Sequence, residues 1–395
     1  MRGARRWAAI SALLVAVAVV GVGGSTAATT KPIIIGYVFD AKGQMSPFDT
    51  PALAAAQLRV KAINAKGGVN RRPLRILTCD TQNNNPAKAK SCAASMLDRG
   101  ANMLFVTCDV EFSAPVVQEA INRGLLAVAP CIGTDQMGPK RFGAKGRLAF
   151  SFGNVAQDEG SAMAEYAWRR GWRRAAIAKD NLLIYFRNVV DAFEKRFVQL
   201  GGSVIARESY TANDKTIGNV ISRLNGARVD VIVISEAFGE LPALVAGLRS
   251  LGNTTPILNS WAGDGTYWVP ASPKVTNYYF VTFASAFGDD PNPAVRSLLA
   301  QMKKIGKGPA TGGFVTGAAA VDGVVAAIKK AGGSTKGAAL AAQLEKFKQV
   351  PALGGNVSFS RTLHTVFGRQ YRVMRIEDNQ ARYVGTVKAK VVPKL

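Results

Sequence analysis

The sequence predicts an α/β protein built as two doubly wound parallel-sheet lobes. Three observations carry this reading. Short, apolar, β-branched runs alternate with helix-like segments that stop at glycines, the pattern of a parallel sheet covered on both faces. The alternation restarts after Phe150, so two units of similar design lie in tandem. A chain of 395 residues is long enough for two domains.

In order, residues 33–38 form a first strand, opened by Lys31 and Pro32. Leu53, Ala56, Leu58, Val60 and Ile63 are the apolar positions of a helix that Gly67 and Gly68 stop. Residues 74–78 are a second strand and 86–98 a helix ended by Gly100; 103–107 are a third strand, and 114–122 a helix ended by Gly124. A fourth strand takes 125–129. In the second unit, helices are predicted at 159–170, 186–200, 215–224 and 241–251, and strands at 174–178, 204–208, 230–234 and 256–259. A strand-like run at 278–283 and final strands at 370–376 and 382–387 follow.

The first thirty residues read as a signal peptide. Arg2, Arg5 and Arg6 precede a run without charges whose apolar heart, 8–20, is shorter than the ~20 residues of a membrane span. Small residues then lead to a cleavage point after Ala27 or Ala28. The protein is expected to be exported, periplasmic or secreted. Hydrophobic residues make up 48% and charged residues 19%, which excludes a disordered chain. The net charge is +24, but the basic residues are dispersed and no dense arm for nucleic acid is present.

Catalytic signatures are missing. One histidine, His364, argues against a histidine metal centre or a Ser-His-Asp triad, and neither G-x-S-x-G, a P-loop nor a dinucleotide fingerprint occurs. No enzyme and no cofactor are expected. The four cysteines lack CxxC spacing, and an exported chain permits disulfides. Cys108 and Cys131 follow the third and fourth strands, neighbours in a doubly wound sheet; Cys79 ends the second strand and Cys92 lies in the next helix. Cys79–Cys92 and Cys108–Cys131 is the preferred pairing, with Cys79–Cys108 the rival.

Residues 63–69, reading INAKGGV at the end of a helix, resemble a signature of the type I periplasmic solute-binding proteins, the branched-chain amino acid (Leu/Ile/Val) group of ABC importers. Asp80 to Pro86, Pro130 to Thr134, Asp180 followed by Tyr185, and residues 314–322 (FVTGAAAVD) resemble further segments of that family in order and spacing. The resemblance spans residues 31–395. It implies a solute-binding subunit that closes around a small amino acid-like or amide-like solute, works with a membrane permease, and is a monomer. It also implies three hinge crossovers, placed near 150, 283 and 353. Lobe one is then 29–150 plus 284–352, and lobe two 151–283 plus 353–395, after a signal of 1–28. A ligand-sensing domain reporting to a receptor, or an exported enzyme, are the alternatives.

Ligands of open parallel sheets bind beyond the carboxyl ends of strands. That selects Asp109 to Ser113 and Cys131 to Asp135, with Ile132, Gly133 and Thr134, in lobe one, and Asp180 to Tyr185, Ser235 to Phe238 and Gly263 to Gly265, with Asp264, in lobe two. Carried onto this chain, the family's contacts mark Tyr185, Asp264 and Phe314 as well as Asp109 and the 131–134 stretch. Tyr185, Phe238, Trp261 and Phe314 are candidate apolar walls. Each has a plainer role available: Asp264 as a turn residue between two glycines, Asp109 as a helix cap, Phe314 as core. Asp109 departs from the family, whose amino acid binders carry small hydroxyl residues there. A carboxylate at that place repels a solute carboxylate, which leaves a cationic, amide-like or larger apolar solute open.

Overall fold

The computed structural model describes residues 31–212 and 215–394; the expected signal peptide lies outside them. The chain opens with β1 (Ile33–Phe39), α1 (Ser46–Asn64), β2 (Leu74–Asp80), α2 (Pro86–Asp98), β3 (Met103–Phe105), α3 (Val110–Asn122), β4 (Leu126–Ala129), α4 (Pro139–Phe142) and β5 (Ala149–Asn154). It continues with α5 (Ala156–Arg169), β6 (Arg174–Asp180), α6 (Ile184–Gln199), β7 (Ser203–Tyr210), α7 (Ile217–Gly226), β8 (Val231–Ser235), α8 (Glu240–Ser250), β9 (Ile257–Asn259) and β10 (Tyr278–Thr282). Then come α9 (Pro293–Lys304), α10 (Phe314–Lys330), α11 (Gly337–Leu344), β11 (Thr365–Val366), β12 (Tyr371–Glu377) and β13 (Gln380–Val387).

Two sheets result. The first runs β11-β5-β4-β3-β1-β2, with every pairing parallel. The second runs β13-β12-β10-β9-β8-β6-β7; β6 to β10 are parallel, and β12 and β13 add an antiparallel ribbon at one edge. The central strands explain why the sequence reads as unbroken apolar runs: β4 and β8 are buried at every residue, as strands between two helix layers must be. Helix starts follow local chemistry. Asn85 accepts the Lys88 N–H ahead of Pro86, and Asn292 accepts the Ala294 N–H ahead of Pro293.

α10 returns to the first lobe and lies across α1. The backbones meet so closely that a Cβ on Gly317 would stand 1.8 Å from the Ala52 carbonyl oxygen, so no larger residue fits there. Within that lobe, His364 is a packing residue: its ring stacks on Phe150 at 4.0 Å and Nδ1 lies 3.0 Å from the Ala149 oxygen.

The chain crosses between sheets three times, and two crossings fall later than expected. β5 holds the chain in the first sheet to Asn154, beyond the expected 150. β10 ends at Thr282, close to the expected 283. The crossing placed near 353 comes after Val366, because β11 pairs with β5 and Val155 donates to the Val366 oxygen. Residues 367–370 are therefore the third link. β5 and β11 were not foreseen as strands.

Both preferred disulfides are present. Cys79 and Cys92 have Cα atoms 5.7 Å apart and join β2 to α2; Cys108 and Cys131, at 4.9 Å, join the loops after β3 and β4. The rival Cys79–Cys108 pairing is excluded, because each of these sulfurs has its partner elsewhere. Among the described residues, no helix is long and apolar enough to cross a membrane and no cluster suits a metal ion.

Candidate functional site

The carboxyl ends of both sheets face one another across a cavity. Lobe one contributes Met45, Phe48, Cys108, Asp109, Ile132, Gly133 and Thr134. Lobe two contributes Leu183, Tyr185, Phe186, Ala237, Phe238, Trp261 and Ala262. Every wall residue follows a strand end, as the rule for open sheets requires. The lobes are closed on each other. Phe48 meets Trp261 edge to face at 5.0 Å, and a Cβ on Gly133 would stand 2.6 Å from the Tyr185 ring. The space open to the centre of a water-sized sphere is about 20 Å3, which corresponds to roughly one water. A solute of amino acid size therefore enters only when the lobes part.

Asp109 caps α3. Its Oδ1 accepts the Glu111 N–H at 2.8 Å and the Phe112 N–H at 3.1 Å. Burial, and Glu111 close by, push its carboxyl well above the usual range. The cap role and the cavity position are thus held by one side chain. Beneath it, Asp49 of α1 accepts the Thr107 hydroxyl at 2.5 Å and the Cys108 N–H at 2.9 Å, which fixes the chain after β3. Burial pushes the Asp49 carboxyl up to about 7.

Glu159 of α5 is fully buried and supports the lobe-two wall. One oxygen accepts the Tyr185 hydroxyl at 2.9 Å; the other accepts the Trp261 N–H at 2.5 Å. Burial pushes its carboxyl up to about 8, with the nearby Asp264 adding to the rise. The two aromatic walls are thereby held by one acid.

Of the residues picked from the sequence, Asp109, Ile132, Gly133, Thr134, Tyr185 and Phe238 meet at the cavity. Cys131 is buried behind it, bonded to the lining Cys108. Asp264 and Phe314 do not line it. Asp264 Oδ2 accepts the Thr282 hydroxyl and the Gly312 N–H, both at 2.6 Å, so it ties β10 to the segment that leads into α10. Phe314 is wholly buried at the start of α10. Asp264 follows the short helical turn 261–263, whose Trp261 and Ala262 line the cavity while Asp264 does not. Met45, Phe48 and Glu159 were missed. For the first two the signal was available, since they follow the end of β1 just as Asp109 follows β3.

Comparison with known proteins agrees with this arrangement. A curated Leu/Ile/Val-binding protein homolog 3 of Brucella melitensis is 24% identical over 353 residues, 89% of this chain and 93% of that protein. The branched-chain amino acid transporter substrate binding protein LivJ from Streptococcus pneumoniae, solved with isoleucine, superposes with a TM-score of 0.78 at 20% identity, covering 91% of this chain and 100% of that one. An ABC transporter solute binding protein from R. palustris, solved with benzoate, gives 0.74 at 16% identity, covering 92% and 98%. The model of the periplasmic binding protein family matches residues 32–381, so the chain, with its two sheets closing on one cavity, belongs to that family.

Proposed function

We propose that this protein is the extracytoplasmic solute-binding subunit of an ABC uptake system, and that its solute is a small apolar molecule carrying an ammonium or amide group. The interlobe cavity carries this reading. Its walls are apolar and aromatic, and Asp109 is their sole charged-type side chain. No lysine, arginine or histidine lines it, although the chain as a whole is strongly basic. Asp109 also occupies the first N–H groups of α3, the donors with which a helix start otherwise holds an anion. A solute carboxylate would have to displace it or lie beside it. An ammonium or amide N–H instead finds an acceptor.

The named relatives take isoleucine and benzoate, so the family fold alone does not choose among chemistries. Parting and closing of the lobes about the three links supplies capture and release, and a membrane permease receives the solute. Family members are solute-binding proteins, which supports binding without catalysis.

The experiment is a thermal-shift screen of residues 29–395 against isoleucine, isoleucinamide, isoamylamine and benzoate, followed by calorimetry. A ligand at 100 times its Kd adds about 2.7 kcal/mol. The amide or amine is expected to bind more tightly than benzoate. Asp109→Ser is expected to weaken the amine by roughly tenfold or more, the loss of a charge-assisted bond, and to improve benzoate. Tighter binding of benzoate to the parent than of either amine or amide overturns the solute class.

A further inference from the structure

The two ends of lobe one carry opposite charge. Where the strands end at the cleft, acids gather: Asp40, Asp80, Asp109 and Asp135 each stand at a strand end or in the loop after it. Where the strands begin, on the side away from the cleft, cations gather. Lys61 lies in the last turn of α1 and Lys66 just beyond it, Arg99 follows α2, Lys329 and Lys330 close α10, and Lys336 precedes α11; all six are exposed. The turns that bear them are joined into one face. Arg72 Nε donates to the Lys31 oxygen at 2.9 Å, and Asn102 accepts the Ile34 N–H at 2.8 Å while its amide donates to the Thr335 hydroxyl at 3.5 Å. A Cβ on Gly333 would stand 2.7 Å from the Asn70 amide nitrogen, which brings the end of α10 against the α1–β2 connection.

Acids near this end do not neutralise it. Asp98 pairs with Arg123 at 2.7 Å, Glu119 with Lys90 at 3.8 Å and Glu345 with Arg147 at 3.0 Å. Among the described residues, none of the six cations is in an ion pair. The corresponding end of lobe two is mixed instead. There Arg173 lies 3.5 Å from the Trp168 ring centre, Asp230 accepts the Arg173 and Arg174 N–H groups, and Glu377 pairs with Arg375 at 2.5 Å.

Charges of one sign spread over separate turns match a broad surface of negative headgroups better than a single small anion. The start of the fold points the same way. Lys31 lies on this end, so the uncharged stretch 7–30 joins the folded chain there. We propose that the outer end of lobe one docks on an anionic lipid bilayer. The cleft, at the opposite end of the same strands, then stays clear of the lipid. The proposal does not rest on the solute assigned to the cleft.

Flotation of the mature chain, residues 29–395, with phosphatidylcholine vesicles holding rising shares of phosphatidylglycerol tests this. Binding is expected to climb with the anionic share and to vanish at roughly 0.5 M sodium chloride, where screening confines the field to a few ångströms. Each Lys or Arg near such a surface is worth roughly fivefold in affinity. Lys61→Glu, Lys66→Glu and Lys336→Glu together are therefore expected to lose roughly a hundredfold or more. Lys303→Glu, Lys304→Glu and Lys307→Glu change the net charge equally, but their segment leads to Thr311, which donates to the Pro47 oxygen at the cleft end. A loss of less than about threefold is expected for that set, because those charges stand beyond the screening length from the lipid. No vesicle binding by the parent at low salt overturns the proposal, as does an equal loss in the two triple variants. Should the first set fail to fold by circular dichroism, the same three lysines are changed to Gln, and an unchanged vesicle affinity overturns it.

Discussion

At the scale of single residues, the buried acids set the behaviour of the cleft. Glu159 ordinarily titrates near 4.5 and is pushed up to about 8 by burial. A group whose folded pKa is raised contributes stability in full below its unfolded pKa and loses it as pH rises through the folded one. From Glu159 alone, each pH unit between about 4.5 and 8 removes up to ~1.4 kcal/mol. Asp49 and Asp264, each raised to about 7, act in the same direction. Denaturant unfolding between pH 5 and 8 is expected to show stability falling with pH. Glu159→Gln keeps an acceptor for the Trp261 backbone N–H and reverses the other contact, its amide donating to the Tyr185 hydroxyl oxygen, so its slope is expected to be shallower; equal slopes would refute the assignment. Asp264 presents a different test. Asp264→Ala orphans two buried donors, at about 1–3 kcal/mol each, while Asp264→Asn retains an acceptor. The alanine variant is expected to melt earlier with solute affinity preserved, whereas selective loss of affinity would return Asp264 to the cleft.

At the scale of elements, the loop after β4 depends on having glycine at 133. Its Cβ position lies 2.6 Å from the Tyr185 ring, closer than real Cβ contacts come. Gly133→Ala holds the loop off α6 and the lobes apart. At least a tenfold rise in solute Kd is expected by calorimetry with little change in the melting of the solute-free protein; an unchanged Kd would show that the loop yields instead. Elements were legible where chemistry is local. α2 was readable from Pro86 and Gly100, and the strand ends located Asp109, Ile132 and Tyr185. β11 was not readable, since two residues make no period and its pairing with β5 is a contact across more than two hundred residues. β5 was hidden for another reason. Its sequence AFSFGN alternates aromatic with small residues, yet both faces are buried, and Gly153 packs against the Cys131 backbone.

At the scale of the whole molecule, the tandem repeat of α/β units was visible because each sheet is built mostly from neighbouring segments. The three links were not located so well, because a crossing is defined by which sheet a strand joins, and no residue type announces that. Asp264 shows the same limit. Its neighbours Gly263 and Gly265 fit a turn, and its strand-end position fits a site; only its three-dimensional partners, Thr282 and Gly312, and its absence from the cavity wall decide. The disulfides belong at this scale too, since Cys108–Cys131 fixes two cavity loops of lobe one to each other. Thiol titration of the denatured, non-reduced protein is expected to find no free thiol, and reduction is expected to weaken solute binding before it melts either lobe. Four free thiols would contradict the arrangement.

The edge-to-face meeting of Phe48 and Trp261 gives the molecule an optical signal of its own. In the closed form the indole is 4% exposed, between the two lobes. Parting them wets it, so its emission shifts to longer wavelength as the cleft opens and back as a solute draws it shut. Trp168, Trp172 and Trp268 do not line the cavity and supply the background emission. Opening and capture can therefore be followed in real time by stopped-flow fluorescence without an attached dye, and Trp261→Phe should silence the signal.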